Sequence, residues 1–102
     1  MADTRPSNEH AARTVREQIV FTGRVHGVGF RATARSIALR CDVTGWVRNQ
    51  PDGSVMLEAQ GPQHEIDSLI REIDSEMGRL ITDIRRAEMP ISRDESAFEI
   101  RR

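Results

Sequence analysis

A chain of 102 residues that is 37% hydrophobic carries enough apolar side chains for one core and one compact domain. Its 15 basic residues, all arginine, oppose 16 acidic ones, and a formal net charge of −1 lacks the basic excess that sequence-independent nucleic-acid binding requires. No run approaches the ~20 apolar residues of a membrane span, the single Cys41 excludes an internal disulfide, and the absence of lysine excludes Schiff-base chemistry and the lysine-dependent phosphate loop. The expectation is a cytoplasmic monomer with no membrane or nucleic-acid partner. His10, His26 and His64 are too scattered to suggest a structural metal site.

Residues 1–16 are polar and without apolar periodicity, and read as a disordered tail; residues 17–102 read as the folded domain. Gln18-Ile19-Val20-Phe21-Thr22 is β-branched and aromatic and ends at Gly23, as a strand does. Beyond a glycine-rich segment, Phe30, Ala34, Ile37, Ala38 and Cys41 recur on one helical face. That helix is expected to stop near Asp42, with Leu39 on the opposite, exposed side. Thr44 to Ala59 forms a hairpin about the turn Pro51-Asp52-Gly53-Ser54. Gly61-Pro62 opens a second helix with the stripe Ile66, Leu69, Ile70, Ile73 and Met77, and Gly78 stops it. Ile81 to Met89 is a weaker strand, and Ala97 to Arg101 a short fifth one. The order β-α-β-β-α-β predicts a ferredoxin-like α+β sandwich, an antiparallel sheet with both helices on one face. Such a fold settles no function.

The segment Gly23-Arg24-Val25-His26-Gly27-Val28-Gly29-Phe30-Arg31 leaves a strand and enters a helix. Its glycines allow successive N–H groups to converge, and the first N–H groups of the helix lack helical partners and carry the positive end of its dipole. Together they can cradle an anion. Arg31, on the first turn, can grip two phosphate oxygens in a fork. Glycines in this position equally serve a plain tight connection. The segment is neither a lysine-bearing phosphate loop nor a Gly-x-Gly-x-x-Gly dinucleotide site. A second feature is Gly45-Trp46-Val47-Arg48-Asn49, which runs to the hairpin turn. Asn49 can donate and accept hydrogen bonds without changing charge, which suits it to positioning a water; it also suits a turn. Trp46 reads as packing and Arg48 as a solvated sheet residue.

Both segments, with Asp52-Gly53-Ser54-Val55 and the terminal Phe98-Glu99-Ile100-Arg101, resemble the acylphosphatase family over about residues 17–102. The resemblance implies a hydrolase that splits a carboxyl–phosphate mixed anhydride into carboxylate and inorganic phosphate, with no cofactor and no metal. It implies that the amides of His26, Gly27, Val28, Gly29 and Phe30 form a phosphate cradle. It likewise makes Arg31 the phosphate-binding arginine and Asn49 the water-orienting amide. The substrate is then a small-molecule acyl phosphate and the substrate's own phosphate takes the proton from water. Three positions depart from the family pattern: His26 replaces a common Gln, Asp42 a common Gly at the end of the helix, and Ala32 a larger residue beside the loop. The rival readings are a non-catalytic anion-binding domain, the similar domain at the start of larger carbamoyl-transfer proteins, and an RNA-binding module. Retention of both Arg31 and Asn49, the absence of zinc-finger cysteines and the absence of paired stacking aromatics weigh against them in turn.

Overall fold

The computed structural model describes residues 13–102. The elements run β1 (Thr14–Gly23), α1 (Phe30–Ala38), β2 (Thr44–Asn49), β3 (Val55–Pro62), α2 (Gln63–Met77), a 3-10 turn (Gly78–Leu80), β4 (Ile81–Met89) and β5 (Phe98–Arg101). They build one five-stranded sheet in the order β4-β1-β3-β2-β5. Alternation along the strands sends Ile19, Phe21, Val47, Val55, Leu57, Ala59 and Phe98 to one side. There they merge with the apolar stripes of both helices into a single buried cluster. Both helices therefore cover one sheet face, as the ferredoxin-like expectation requires.

The sheet is mixed, which corrects the expectation of a fully antiparallel one. The first four strands pair antiparallel, but β5 lies parallel to β2, with Gly45 opposite Phe98 and Arg48 opposite Arg101. Direction explains this. β4 ends at the end of the sheet where β2 begins, so the chain that links it to the far edge delivers β5 running the same way as β2. That link is gripped by Arg16, which is 5% exposed and donates to both carboxylate oxygens of Glu95 (2.8 and 3.1 Å) and to Glu58 (2.8 Å), while Thr44 Oγ1 donates to Glu95 at 2.8 Å. The tail boundary moves accordingly: β1 starts at Thr14 and pairs there with Pro62, so residues 14–16 belong to the sheet. Of the remainder of the expected tail, Arg13 is described and residues 1–12 lie outside the described residues.

Other boundaries shift for local reasons. α1 ends at Ala38, four residues before Asp42, in a turn closed by Arg40 N–H to Ile37 O and Cys41 N–H to Ala38 O. Cys41 thus sits past the helix, half-buried against the edge of the core. Asp42 bears no left-handed strain, since no residue other than glycine has positive φ among the described residues, and its N–H donates to Glu65 Oε1 at 2.8 Å. Gly61 and Pro62 belong to β3, and α2 begins at Gln63. Gly78 keeps right-handed geometry (φ −59°) and passes the chain into the 3-10 turn rather than stopping it in the left-handed region.

Candidate functional site

The ends of β1, β2 and β5 meet at one edge of the sandwich, and the glycine-rich loop lies there. The pairing of β1 with β4 shifts between Thr22 and Gly23, and Arg24 N–H then donates to Leu80 O at 2.8 Å. Val25, 1% exposed, anchors the loop to the core. At the far end Phe30 is buried and meets Phe21 with ring centroids 5.2 Å apart, which pins the first turn of α1 onto β1. Between these anchors Gly27 and Gly29 take φ of 71° and 76°, in the left-handed region where a side chain is strained. Gly29 is the N-cap of α1. Among the described residues no side chain caps this helix, and no acid occupies its first turn, so its leading N–H groups have neither a side-chain acceptor nor a local negative charge beside them.

Arg31 follows immediately. Its Nη1 donates to the carbonyl of Arg101 at 3.1 Å, and one turn later Arg35 Nε donates to the carbonyl of Phe98 at 3.1 Å. Helix α1 is thereby laced to β5, and the Arg31 guanidinium is aimed by a bond that engages one of its nitrogens.

Asn49 is the last residue of β2, opposite Val55. The turn beyond it is built on Ser54, whose carbonyl accepts Gln50 N–H at 2.8 Å and whose N–H and hydroxyl donate to Asp52 Oδ1 at 2.9 and 2.6 Å. The Ser54 hydroxyl first, and its N–H second, hold the Asp52 carboxyl below the usual range. The Ser54 carbonyl also receives the ring of His26 at 2.9 Å; since a carbonyl only accepts, Nε2 carries the proton. His26 therefore contributes a brace between loop and hairpin, a role its position in the sequence did not suggest.

Gly27, Gly29, Phe30, Arg31 and Asn49 wall one cleft of about 190 Å³, completed by Val25, Ala32 and Ile100. Five of the seven expected site residues thus share a cavity. His26 and Val28 do not line it; the His26 ring is turned to Ser54 and the Val28 side chain is 47% exposed. Val25 and Ile100 are the wall residues that sequence reasoning passed over, although Ile100 shares the parity of the buried Phe98. Among the described residues no Asp or Glu side chain lines this cleft, so its polar wall is made of backbone N–H groups, the Arg31 guanidinium and the Asn49 amide. A cleft of similar volume between Glu17, Gln63 and Arg86 has its charge already spent, because Arg86 pairs with Glu17 and Asp67 at 2.8 and 2.6 Å.

The acylphosphatase family model matches residues 17–100. The chain is 62% identical over 52 residues to an acylphosphatase of Salinibacter ruber, an alignment covering 51% of this chain and 55% of the relative. It is 49% identical over 63 residues to an acylphosphatase of Bifidobacterium longum, covering 62% and 65%. The matched segment thus spans between half and two thirds of the length of these curated relatives. The fold is similar to the crystal structure of acylphosphatase from Bacillus subtilis, with a TM-score of 0.77 and 29% identity, covering 86% of this chain and 99% of that one.

Proposed function

The chain belongs to the acylphosphatase family, and from that premise we propose that it hydrolyses acyl phosphates to a carboxylate and inorganic phosphate. The observation that carries the proposal is the presence of Arg31 and Asn49 in one cleft with the left-handed Gly27 and Gly29. In this reading the N–H groups from His26 to Phe30 and the fork of Arg31 receive the phosphate oxygens. They stabilise the charge that spreads over those oxygens as the bond to the acyl oxygen loosens. The side-chain amide of Asn49 orients a water in line with that bond. The water oxygen bonds to phosphorus, the acyl oxygen leaves with the electron pair as a carboxylate, and a phosphate oxygen takes the proton of the water. An acyl phosphate is already activated, so orientation and charge stabilisation suffice without a protein base. Neither a cofactor nor a metal has a part in this scheme.

The proposal extends to a monomer acting in the cytoplasm. Support for the monomer is a surface laced with opposite charges, such as Arg86 between Glu17 and Asp67, and support for a reducing compartment is the lone, half-buried Cys41. The test of the activity is release of phosphate from benzoyl phosphate in the presence of EDTA. Turnover under those conditions is expected; a folded protein that gives none would return the cleft to the rival reading, a domain that binds an anion without chemistry.

A further inference from the structure

The cleft that contains Arg31 opens on its outer side. Asn49 walls it, and Asn49 also walls a second and wider groove of about 480 Å³ bounded by Arg48, Gln50, Pro51 and Arg102. The parallel register, with Arg48 opposite Arg101, puts Asn49 and Arg102 side by side where β2 and β5 end. Asn49 is thus common to the walls of both cavities.

The side-chain charge of that groove is one-sided. Two of its lining residues are arginines, and no Asp or Glu side chain lines it among the described residues. Arg48 is also held in place. Its Nε donates to Gln50 Oε1 at 3.2 Å, and its guanidinium carbon lies 5.3 Å from the centre of the Trp46 ring. Trp46 is a firm platform, 8% exposed, with Arg101 over the same ring at 5.0 Å. With Nε and the planar face engaged, the Nη edge is the part of Arg48 that can meet an anion, and a planar fork matches a carboxylate. Nothing in the hydrolytic step uses this arginine.

We propose that the groove is the acyl-group subsite and that it selects acyl phosphates whose acyl half carries its own carboxylate, the monoacyl phosphates of short dicarboxylic acids. This rests on the hydrolase reading above. The probes are fumaryl phosphate, whose trans double bond prevents closure to a cyclic anhydride, and crotonyl phosphate, which has a methyl group in place of the carboxylate. The wild type is expected to favour fumaryl phosphate in kcat/KM, and 0.5 M salt should shrink that preference. Arg48→Gln and Arg102→Gln should each lower the fumaryl-to-crotonyl ratio by about three- to fivefold, the range of an exposed ion pair, through KM. Arg48→Lys should recover part of it. Because each variant is its own control, a general loss of folded protein leaves the ratio unmoved. A wild-type preference for crotonyl phosphate, or a ratio unchanged in both Gln variants, overturns the inference and spares the hydrolase reading. Failure of the wild type to hydrolyse either compound overturns both.

Discussion

The imidazole of His26 donates to the carbonyl of Ser54 at 2.9 Å, and the same carbonyl accepts the N–H of Gln50 at 2.8 Å. One oxygen thus ties the glycine-rich loop to the turn that follows Asn49. If the loop holds the phosphate and Asn49 the water, this bond sets their separation. His26→Ala should then lower kcat/KM for benzoyl phosphate by about two- to tenfold, the worth of one neutral hydrogen bond. His26→Gln, which can still donate to the carbonyl, should retain most of it. Equal losses in the two variants would place the role of His26 elsewhere.

Arg31 is expected to be the most sensitive side chain of the cleft. Arg31→Gln removes the charge and the fork and should lower kcat/KM by about a hundredfold or more, in line with the removal of one strong donor from a developing anion. Arg31→Lys keeps the charge but not the fork, and a compact ammonium cannot both hold the Arg101 carbonyl and clasp two phosphate oxygens. It should therefore recover only a minor part of the loss. Steady-state hydrolysis of benzoyl phosphate measures both.

The glycines separate stability from activity. A Cβ at Gly45 would lie against the backbone of Glu58 in the paired strand, well inside contact distance, and φ there is +149°. Gly45→Ala should cost about 3 kcal/mol or more of unfolding free energy. A Cβ at Gly29 would meet nothing within 4 Å, so only the left-handed backbone is strained. Gly29→Ala should cost about 1–2 kcal/mol while shifting the N–H groups of the cradle and raising KM. Chemical denaturation and steady-state kinetics on the two variants give opposite profiles if this is correct.

The pair of buried Arg16 and partly buried Glu95 makes stability depend on acid. Burial pushes the Glu95 carboxyl up, but hydrogen bonds from Arg16 and Thr44 outweigh it and leave the group below its ordinary value. A carboxylate depressed on folding contributes stability that is present above the unfolded value and is lost as pH falls through the folded one. Unfolding midpoints should therefore decline below pH ~4. Glu95→Gln should cost about 1–3 kcal/mol at pH 7 and should flatten that decline. An acid limb of unchanged steepness in the variant would assign it to other carboxylates.

What was legible in the sequence is what neighbouring residues carry together. The glycines, Phe30 and Arg31 lie within one short segment, and Asn49 closes a strand, so chemistry and local geometry coincide there. The apolar alternation of Ile19 and Phe21, and the stripe from Ile66 to Ile73, gave the layers. The bonds that aim the site were not legible, because they join distant segments. Arg31 meets Arg101 across 70 positions and His26 meets Ser54 across 28. The parallel setting of β5 was hidden for the same reason: nothing in Phe98 to Arg101 records which neighbour it will have. The early end of α1 was hidden because Cys41 continues the apolar spacing even though the backbone has already turned, and the half-buried thiol still reaches the core.

The proposed hydrolysis divides its labour, with the loop and Arg31 holding phosphate and Asn49 placing the water. Inorganic phosphate, as a product inhibitor of benzoyl phosphate hydrolysis by Asn49→Ala, tests it most directly. In this variant kcat should fall by about a hundredfold while the inhibition constant for phosphate stays within about twofold of the wild type. An unchanged kcat, or a loss of phosphate inhibition in step with the loss of turnover, would contradict it.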